Sequence, residues 1–269
     1  MSGSAGGLAT ALQLVEPAVF PYRDENPTES FPLITISLIA ANLLAWWQVQ
    51  GLGFDDTAMA TSLCNFGVIP GELTQLAAGK RFMMSPQLMC VVDAAPEPIT
   101  LLTTQFLHGG WMHLLGNMLF LWVFGNNVED ELGKLRFLFF YLSCGLLATL
   151  GHVLTEPASA IPLVGASGAI SGVLGAYLVL FPRARVWTAL PLLIFILRIP
   201  LPAWVFLLYW MGLQLLSGFL DATHGDGGGG VAFWAHVAGF VAGMVLLPFL
   251  RPHGWRKRSV REKAFARRK

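Results

Sequence analysis

The sequence predicts an all-α polytopic membrane protein built as a bundle of six transmembrane helices, and three observations lead there. The 269 residues are 55% hydrophobic and only 12% charged, with a mean hydropathy of +0.60, a balance outside that of soluble domains. Six segments approach the roughly 20 apolar residues that a helix needs to cross a bilayer core of about 30 Å. Lys and Arg gather on alternate connections, as expected where basic residues mark the cytoplasmic side.

In chain order, Met1 to Ser30 has no basic stretch followed by an apolar core, so it does not read as a cleaved signal peptide. Its Gly, Ser and Pro residues predict a short, disordered cytoplasmic lead-in over residues 1–30. Residues 31–250 form the membrane domain, with spans expected at Phe31 to Gln50, Ile99 to Phe124, Leu135 to Leu154, Ile161 to Phe181, Ala203 to Leu220 and Val231 to Leu250. The stretch Val186 to Ile199 is also apolar, but Pro191, Arg198 and Pro200 make it a poor span, and it reads as interfacial or loop. Residues 251–269 form a basic cytoplasmic tail.

That tail holds Arg251, Arg256, Lys257, Arg258, Arg261, Lys263, Arg267, Arg268 and Lys269, nine of the 17 basic residues, and fixes the cytoplasmic side. An even number of spans returns the N-terminus to the same side, with Lys134, Arg136, Arg183, Arg185 and Arg198. The connections Thr155 to Ala160 and Asp221 to Gly230 contain no Lys or Arg and fall outside. Only Lys80 and Arg81 lie outside, in a long loop where charge has little weight on topology. A tail explained this way gives no reason to expect a nucleic-acid partner. Three cysteines make no disulfide framework and no C-x-x-C pair. Cys64 and Cys90 share one loop and could pair, although two free thiols are expected.

Polar side chains inside spans are costly and point to function. At the helical rise, Ser167 lies about 9 Å inside span four and His236 about 8 Å inside span six, with His113 of span two at a comparable depth. Gly165 and Gly168 flank Ser167 and allow close backbone approach, while unpaired N–H groups near a helix start can receive an oxyanion. A G-x-S-G string alone points to helix packing ahead of catalysis. Ala235, Gly239 and Gly243 form a stripe of small residues beside His236, and Gly168, Gly172 and Gly175 give span four a similar face. If those faces meet, His236 reaches Ser167. His113 and Asn117, four apart on one helix face, offer N–H donors.

Spans two and six also hold a histidine set, His108, His113 and His236, that could bind a metal. With no carboxylate inside the spans and no His-Glu-x-x-His, that reading ranks below a hydrolase, and neither metal nor cofactor is expected. The same lack of in-span Asp or Glu excludes an intramembrane aspartyl protease and favours a Ser–His dyad over a triad.

Taken together, His108 with His113-x-x-x-Asn117, Gly165-x-Ser167-Gly168, and Ala235-His236-x-x-Gly239-x-x-x-Gly243 resemble the rhomboid family of intramembrane serine proteases. Thr103 to Trp111 and Phe124 to Asp130 resemble its bacterial members. The resemblance implies a six-helix rhomboid-like bundle with a water-filled cavity open to the outside. It implies Ser167 as nucleophile, His236 as general base and acid, and His113, Asn117 and the Ser167 N–H as the oxyanion hole, supported by His108, Gly165 and Gly168. Gly239 and Gly243 serve helix packing. Substrates would be single-span proteins cut in or near their membrane segment, in a bacterial inner membrane with both termini cytoplasmic, and the partners would be those substrates and the lipid bilayer. Two positions depart from the family: Ile99-Thr100 replaces a frequent Trp-Arg, and Ser171 stands where some members have a Tyr that stacks on the catalytic His. A catalytically silent rhomboid-like protein that binds transmembrane helices for quality control is the alternative; a His- and Ser-lined small-molecule channel gives no reason for the glycines beside Ser167.

Overall fold

In hydrocarbon a backbone has to satisfy its own hydrogen bonds, which leaves helices as the economical spanning element. The computed structural model describes residues 20–85, 88–93, 95–192, 195–224 and 232–251. The first 19 residues, residues 225–231 with the expected connection there, and the basic tail beyond Arg251 lie outside the described residues. In chain order the elements are β1 (Phe20–Asp24), α1 (Leu33–Gln48), α2 (Asp56–Phe66), β2 (Arg81–Ser85), β3 (Leu88–Val91) and α3 (Trp111–Phe120). Then follow α4 (Asn126–Leu132), α5 (Lys134–Thr155), α6 (Ser167–Leu180), β4 (Arg185–Leu192), β5 (Phe195–Pro202), α7 (Ala203–His224) and α8 (Phe233–Leu250). By length and composition α5, α7 as far as Leu220, and α8 can cross a membrane; α1 and α6 are shorter apolar helices.

The chain is mostly helical, yet the all-α expectation is incomplete, because two small antiparallel sheets accompany the helices. Residues expected as interfacial loop form the hairpin β4–β5, and part of the expected lead-in pairs with it as β1, in the order β1-β4-β5. Backbone pairing from Phe20 opposite Ala189 to Asp24 opposite Val186 explains the order of β1, and Asp24 anchors it by accepting from Tyr177 Oη (2.5 Å) and Asn127 Nδ2 (2.9 Å). Pro200 and Pro202, which lack an N–H, are tolerated because β5 is an edge strand. In the first loop, β2 pairs with β3. Contrary to the expectation of free thiols, Cys64 at the end of α2 and Cys90 in β3 form a disulfide, with Cα atoms 5.8 Å apart. That bond suits an oxidising compartment.

Two helix starts also differ from the sequence reading. The second span was expected from Ile99, but the chain there makes single turns, Thr100–Thr103 and Thr104–Phe106, and is non-helical from Leu107 to Gly110. Continuous helix begins at Trp111, runs through a π turn at Leu121–Gly125, and continues to Leu132. The helix thus runs past Phe124, the expected end of span two, and beyond that point it carries a buried carboxylate, Glu129. Glu129 accepts from the N–H groups of Ile34 (2.9 Å) and Thr35 (2.8 Å) and from Thr35 Oγ1 (2.8 Å), capping α1, whose own start at Pro32 offers no side-chain cap. The fourth span begins at Ser167 rather than Ile161. Pro162 precedes it, and Gly165 takes φ +130°, a conformation side chains disfavour.

The core is centred on α6, which is buried at every residue from Gly168 to Tyr177. Such a helix is apolar all round because other helices cover all of it. On one side α8 comes so close that a Cβ on Gly239 would collide with the carbonyl of Gly168, one on Gly243 with that of Gly172, and one on Gly175 with that of Phe240. On another side Gly168 faces Ala148 and Gly172 faces Cys144 of α5.

Because lipid solvates separated apolar helices well, a lost backbone contact has little restoring force. Gly239→Val is expected to lower stability by about 1–3 kcal/mol, the usual cost of overpacking, read as a lower melting temperature in detergent. Unchanged melting would show that α6 and α8 tolerate separation.

Candidate active site

The segment leading to Ser167 is held from outside the helical bundle. Val68 and Leu163 exchange backbone hydrogen bonds of 3.1 and 2.7 Å, Thr104 Oγ1 donates to the Leu163 carbonyl, and the Gly165 N–H donates to the Thr104 carbonyl at 2.9 Å. The turn at Gly165 then delivers Ser167 as the first residue of α6, where backbone N–H groups lack intrahelical partners. Ser171, one turn on, donates its hydroxyl to the Ser167 carbonyl at 2.6 Å.

Ser167 Oγ lies 2.7 Å from Nε2 of His236, on the first turn of α8. This is the distance at which an imidazole can take a hydroxyl proton. The other ring nitrogen, Nδ1, lies 2.6 Å from Oε1 of Gln214 in α7. Trp210, one turn earlier in α7, sets its ring 5.9 Å from the imidazole, tilted by 36°. Neither Gln214 nor Trp210 was singled out in the sequence. A search of the spans for neutral amides as well as for reactive groups would have found Gln214. Trp210 supplies an aromatic ring beside His236 from a different helix than the family's Tyr, whose place Ser171 holds.

Facing the pair across Gly165 is His113. A Cβ on Gly165 would lie 2.8 Å from Cε1 and Nε2 of His113, so only glycine lets that ring approach. The Gly109 N–H points to Nδ1 of His113 at 3.3 Å, which leaves the proton of the neutral ring on Nε2, on the side of Ser167. Asn117, one turn further along α3, is buried, and its Nδ2 has no partner among the described residues. His108 is fully buried and packs edge-on against His113 with ring centroids 5.2 Å apart, and neither of its ring nitrogens has a hydrogen-bond partner among the described residues. Its backbone is gripped by Gln50 after α1: Gln50 Nε2 donates to the His108 carbonyl (2.7 Å) and Oε1 accepts its N–H (2.9 Å).

The structure thus gathers Ser167, His236, His113 and Asn117 around a single cavity of about 620 Å³, with Trp210 and Gln214 also in its wall. His108 and Gly168 sit behind this wall, and Gly239 and Gly243 lie in the α6–α8 contact. The arrangement contains a nucleophile with an adjacent base and a set of N–H donors beside it, which are the groups acyl transfer needs. Both nitrogens of His236 are already engaged, so a metal there would have to displace Ser167 or Gln214.

Residues 95–253 match the family model described as "Rhomboid domain". The chain is 32% identical over 148 residues to "Rhomboid protein 1, mitochondrial" of Saccharomyces cerevisiae, covering 54% of this chain and 41% of that protein. It is 44% identical over 78 residues to "Putative rhomboid protease YdcA" of Bacillus subtilis, covering 29% and 39%. To "RHOMBOID-like protein 5" of Arabidopsis thaliana it is 35% identical over 152 residues, covering 56% and 44%. The chain spans about two fifths of the length of these curated relatives.

The contact between Gly165 and His113 predicts the effect of a single methyl group. Gly165→Ala pushes the imidazole away and strains the turn, so reaction of Ser167 with a fluorophosphonate slows by roughly 10²–10³, the cost of losing one oxyanion donor. Mass spectrometry of the labelled peptide measures this rate; labelling as fast as in the unmodified protein would exclude His113 from the site.

Proposed function

The chain belongs to the rhomboid family, and from that premise we propose that it is an intramembrane serine endopeptidase acting through a Ser167–His236 dyad. The observation that carries this reading is the 2.7 Å contact between Ser167 Oγ and His236 Nε2. It is a membrane protein of apolar helices, and rhomboid proteins act on transmembrane substrates within the bilayer. In the proposed topology α1, the joined α3–α4, α5, α6, α7 and α8 make six spans within residues 31–250. Both termini then lie in the cytoplasm of a bacterial inner membrane, with the disulfide-bonded first loop outside.

In the reaction, His236 Nε2 accepts the Ser167 proton as Oγ attacks the scissile carbonyl. The oxyanion of the tetrahedral intermediate is received by His113 Nε2–H, Asn117 Nδ2–H and the Ser167 N–H. Collapse breaks the C–N bond, and His236 returns its proton to the leaving amine. Water entering the cavity then hydrolyses the acyl-Ser167 ester with His236 again as base. A substrate segment reaches Ser167 only after leaving its helix, since an intact helix keeps its carbonyls hydrogen-bonded. The silent, helix-binding alternative leaves the Ser167–His236 contact and the unpartnered Asn117 amide without a purpose.

The test is incubation of the detergent-purified protein with a single-span substrate protein. Ser167→Ala and His236→Ala each abolish cleavage while leaving the melting temperature close to that of the unmodified protein, because the pair acts as a unit. Substantial cleavage by Ser167→Ala would refute the proposal. His113→Ala and Asn117→Ala each lower kcat by about 10²–10³ with little change in substrate binding, since oxyanion donors act mainly in the transition state.

A further inference from the structure

We propose that Gln214 is a positioning residue that fixes the tautomer and orientation of His236, taking the place a carboxylate occupies in a Ser–His–Asp triad. This inference rests on the protease reading above and concerns a residue outside the dyad. Gln214 is buried, and its Oε1 stands 2.6 Å from His236 Nδ1. A carbonyl oxygen can only accept, so Nδ1 of the neutral ring carries the proton. Nε2 is then left with its lone pair directed at Ser167 Oγ, 2.7 Å away. The opposite tautomer would present an N–H to the hydroxyl and could not act as base.

The placement within α7 supports the same conclusion. Trp210 and Gln214 are four apart, on one face of the helix, and both meet the imidazole, one through its ring face and the other through its Nδ1 edge. Two contacts of different kinds define a ring plane, whereas either alone leaves a rotation free. A carboxylate in Gln214's place would be ionised in a buried site and would need further donors to offset its desolvation, while a neutral amide accepts the same hydrogen bond without that cost. Gln214 touches no substrate atom in this scheme; it acts through His236.

The test compares Gln214→Met, which keeps length but removes the acceptor, with Gln214→Glu, which restores one. Gln214→Met is expected to lower kcat roughly 10–100-fold, part of the 10²–10⁴ that general base catalysis contributes, with KM and melting temperature unchanged. Fluorophosphonate labelling of Ser167 slows by the same factor. Gln214→Glu recovers most of the lost rate, and its acidic limb moves to higher pH, because a carboxylate at Nδ1 favours the protonated ring and the base must be deprotonated to act. Among the described residues, His113 of α3 and His152 of α5 are the titratable groups that face His236, and they are the same in both variants. A Gln214→Met enzyme with kcat within about twofold of the unmodified protein would overturn the inference. So would a Gln214→Glu enzyme no faster than Gln214→Met, or one with an unmoved pH profile. If Gln214→Met lowers the melting temperature, the rate and pH profile of Gln214→Glu decide alone. Ser167→Ala serves as the control: if it still cleaves, the protease reading fails, whereas an inactive Ser167→Ala beside a fully active Gln214→Met removes only the role of Gln214.

Discussion

Everything at the site depends on how closely α6 and α8 approach one another. Apolar side chains gain nothing by leaving lipid for one another, so helices in a membrane are held by close packing and by polar contacts. Here the packing is backbone against backbone, with Gly239 over the carbonyl of Gly168 and Gly243 over that of Gly172. Ser167 immediately precedes the first of these carbonyls, and His236 lies one helical turn before Gly239. The contact that joins the helices therefore also sets the 2.7 Å separation of Ser167 Oγ and His236 Nε2. From α5, Ala148 and Cys144 close against the same glycines, so α6 has no free side on which to shift.

A second constraint lies in where the helices begin. α3 starts at Trp111, α6 at Ser167 and α8 at Phe233, and the functional side chains sit on or near the first turn of each. Helix starts carry unpaired N–H groups and the positive end of the helix dipole, which is where negative charge is best received. These starts are imposed from outside the membrane helices. Gln50 holds the backbone of His108 before α3, and Val68 and Thr104 hold Leu163 and Gly165 before α6. Through Val68 the first loop is thus part of the site's scaffold, although none of its described side chains lines the cavity.

What the sequence made legible follows from helical spacing. Glycines four apart near a serine or a histidine, and His113 four residues before Asn117, have a meaning that depends on one helix alone; the structure places the glycines in the α6–α8 contact and His113 and Asn117 on the cavity that Ser167 and His236 line. The helix starts differ from the expected ones because Ile161 to Gly165 stays apolar up to the glycine and Ile99 to Leu107 mixes apolar residues with threonines that a helix accepts, while a glycine turn and distant backbone partners decide where the helix begins. The β4–β5 hairpin was hidden for a similar reason: its apolar run has no helical fault except Arg198 and its prolines, and its pairing with Phe20–Asp24 crosses most of the chain. The Cys64–Cys90 bond, the grip of Gln50 on His108 and the contact of Gln214 with His236 are likewise tertiary facts, carried by residues whose local surroundings say nothing about their partners.

Comparison of the chain's buried polar groups explains why a carboxylate serves one of them and an amide another. Glu129 is buried at the start of α1, where it receives hydrogen bonds from two backbone N–H groups and a hydroxyl, enough to offset the loss of water around its charge. At His236 Nδ1 a single donor is available, and a carboxylate held by one hydrogen bond in a buried site would be poorly compensated. With Gln214 in that position, the group that meets His236 Nδ1 carries no charge of its own. In the proposed reaction charge appears only as the steps proceed, as an imidazolium on His236 and an oxyanion on the substrate, with His113, Asn117 and the start of α6 as the groups proposed to receive it. In a low-dielectric site that attraction is strong because it is local, so under the proposed mechanism the reacting state is stabilised without an ion held in the resting one.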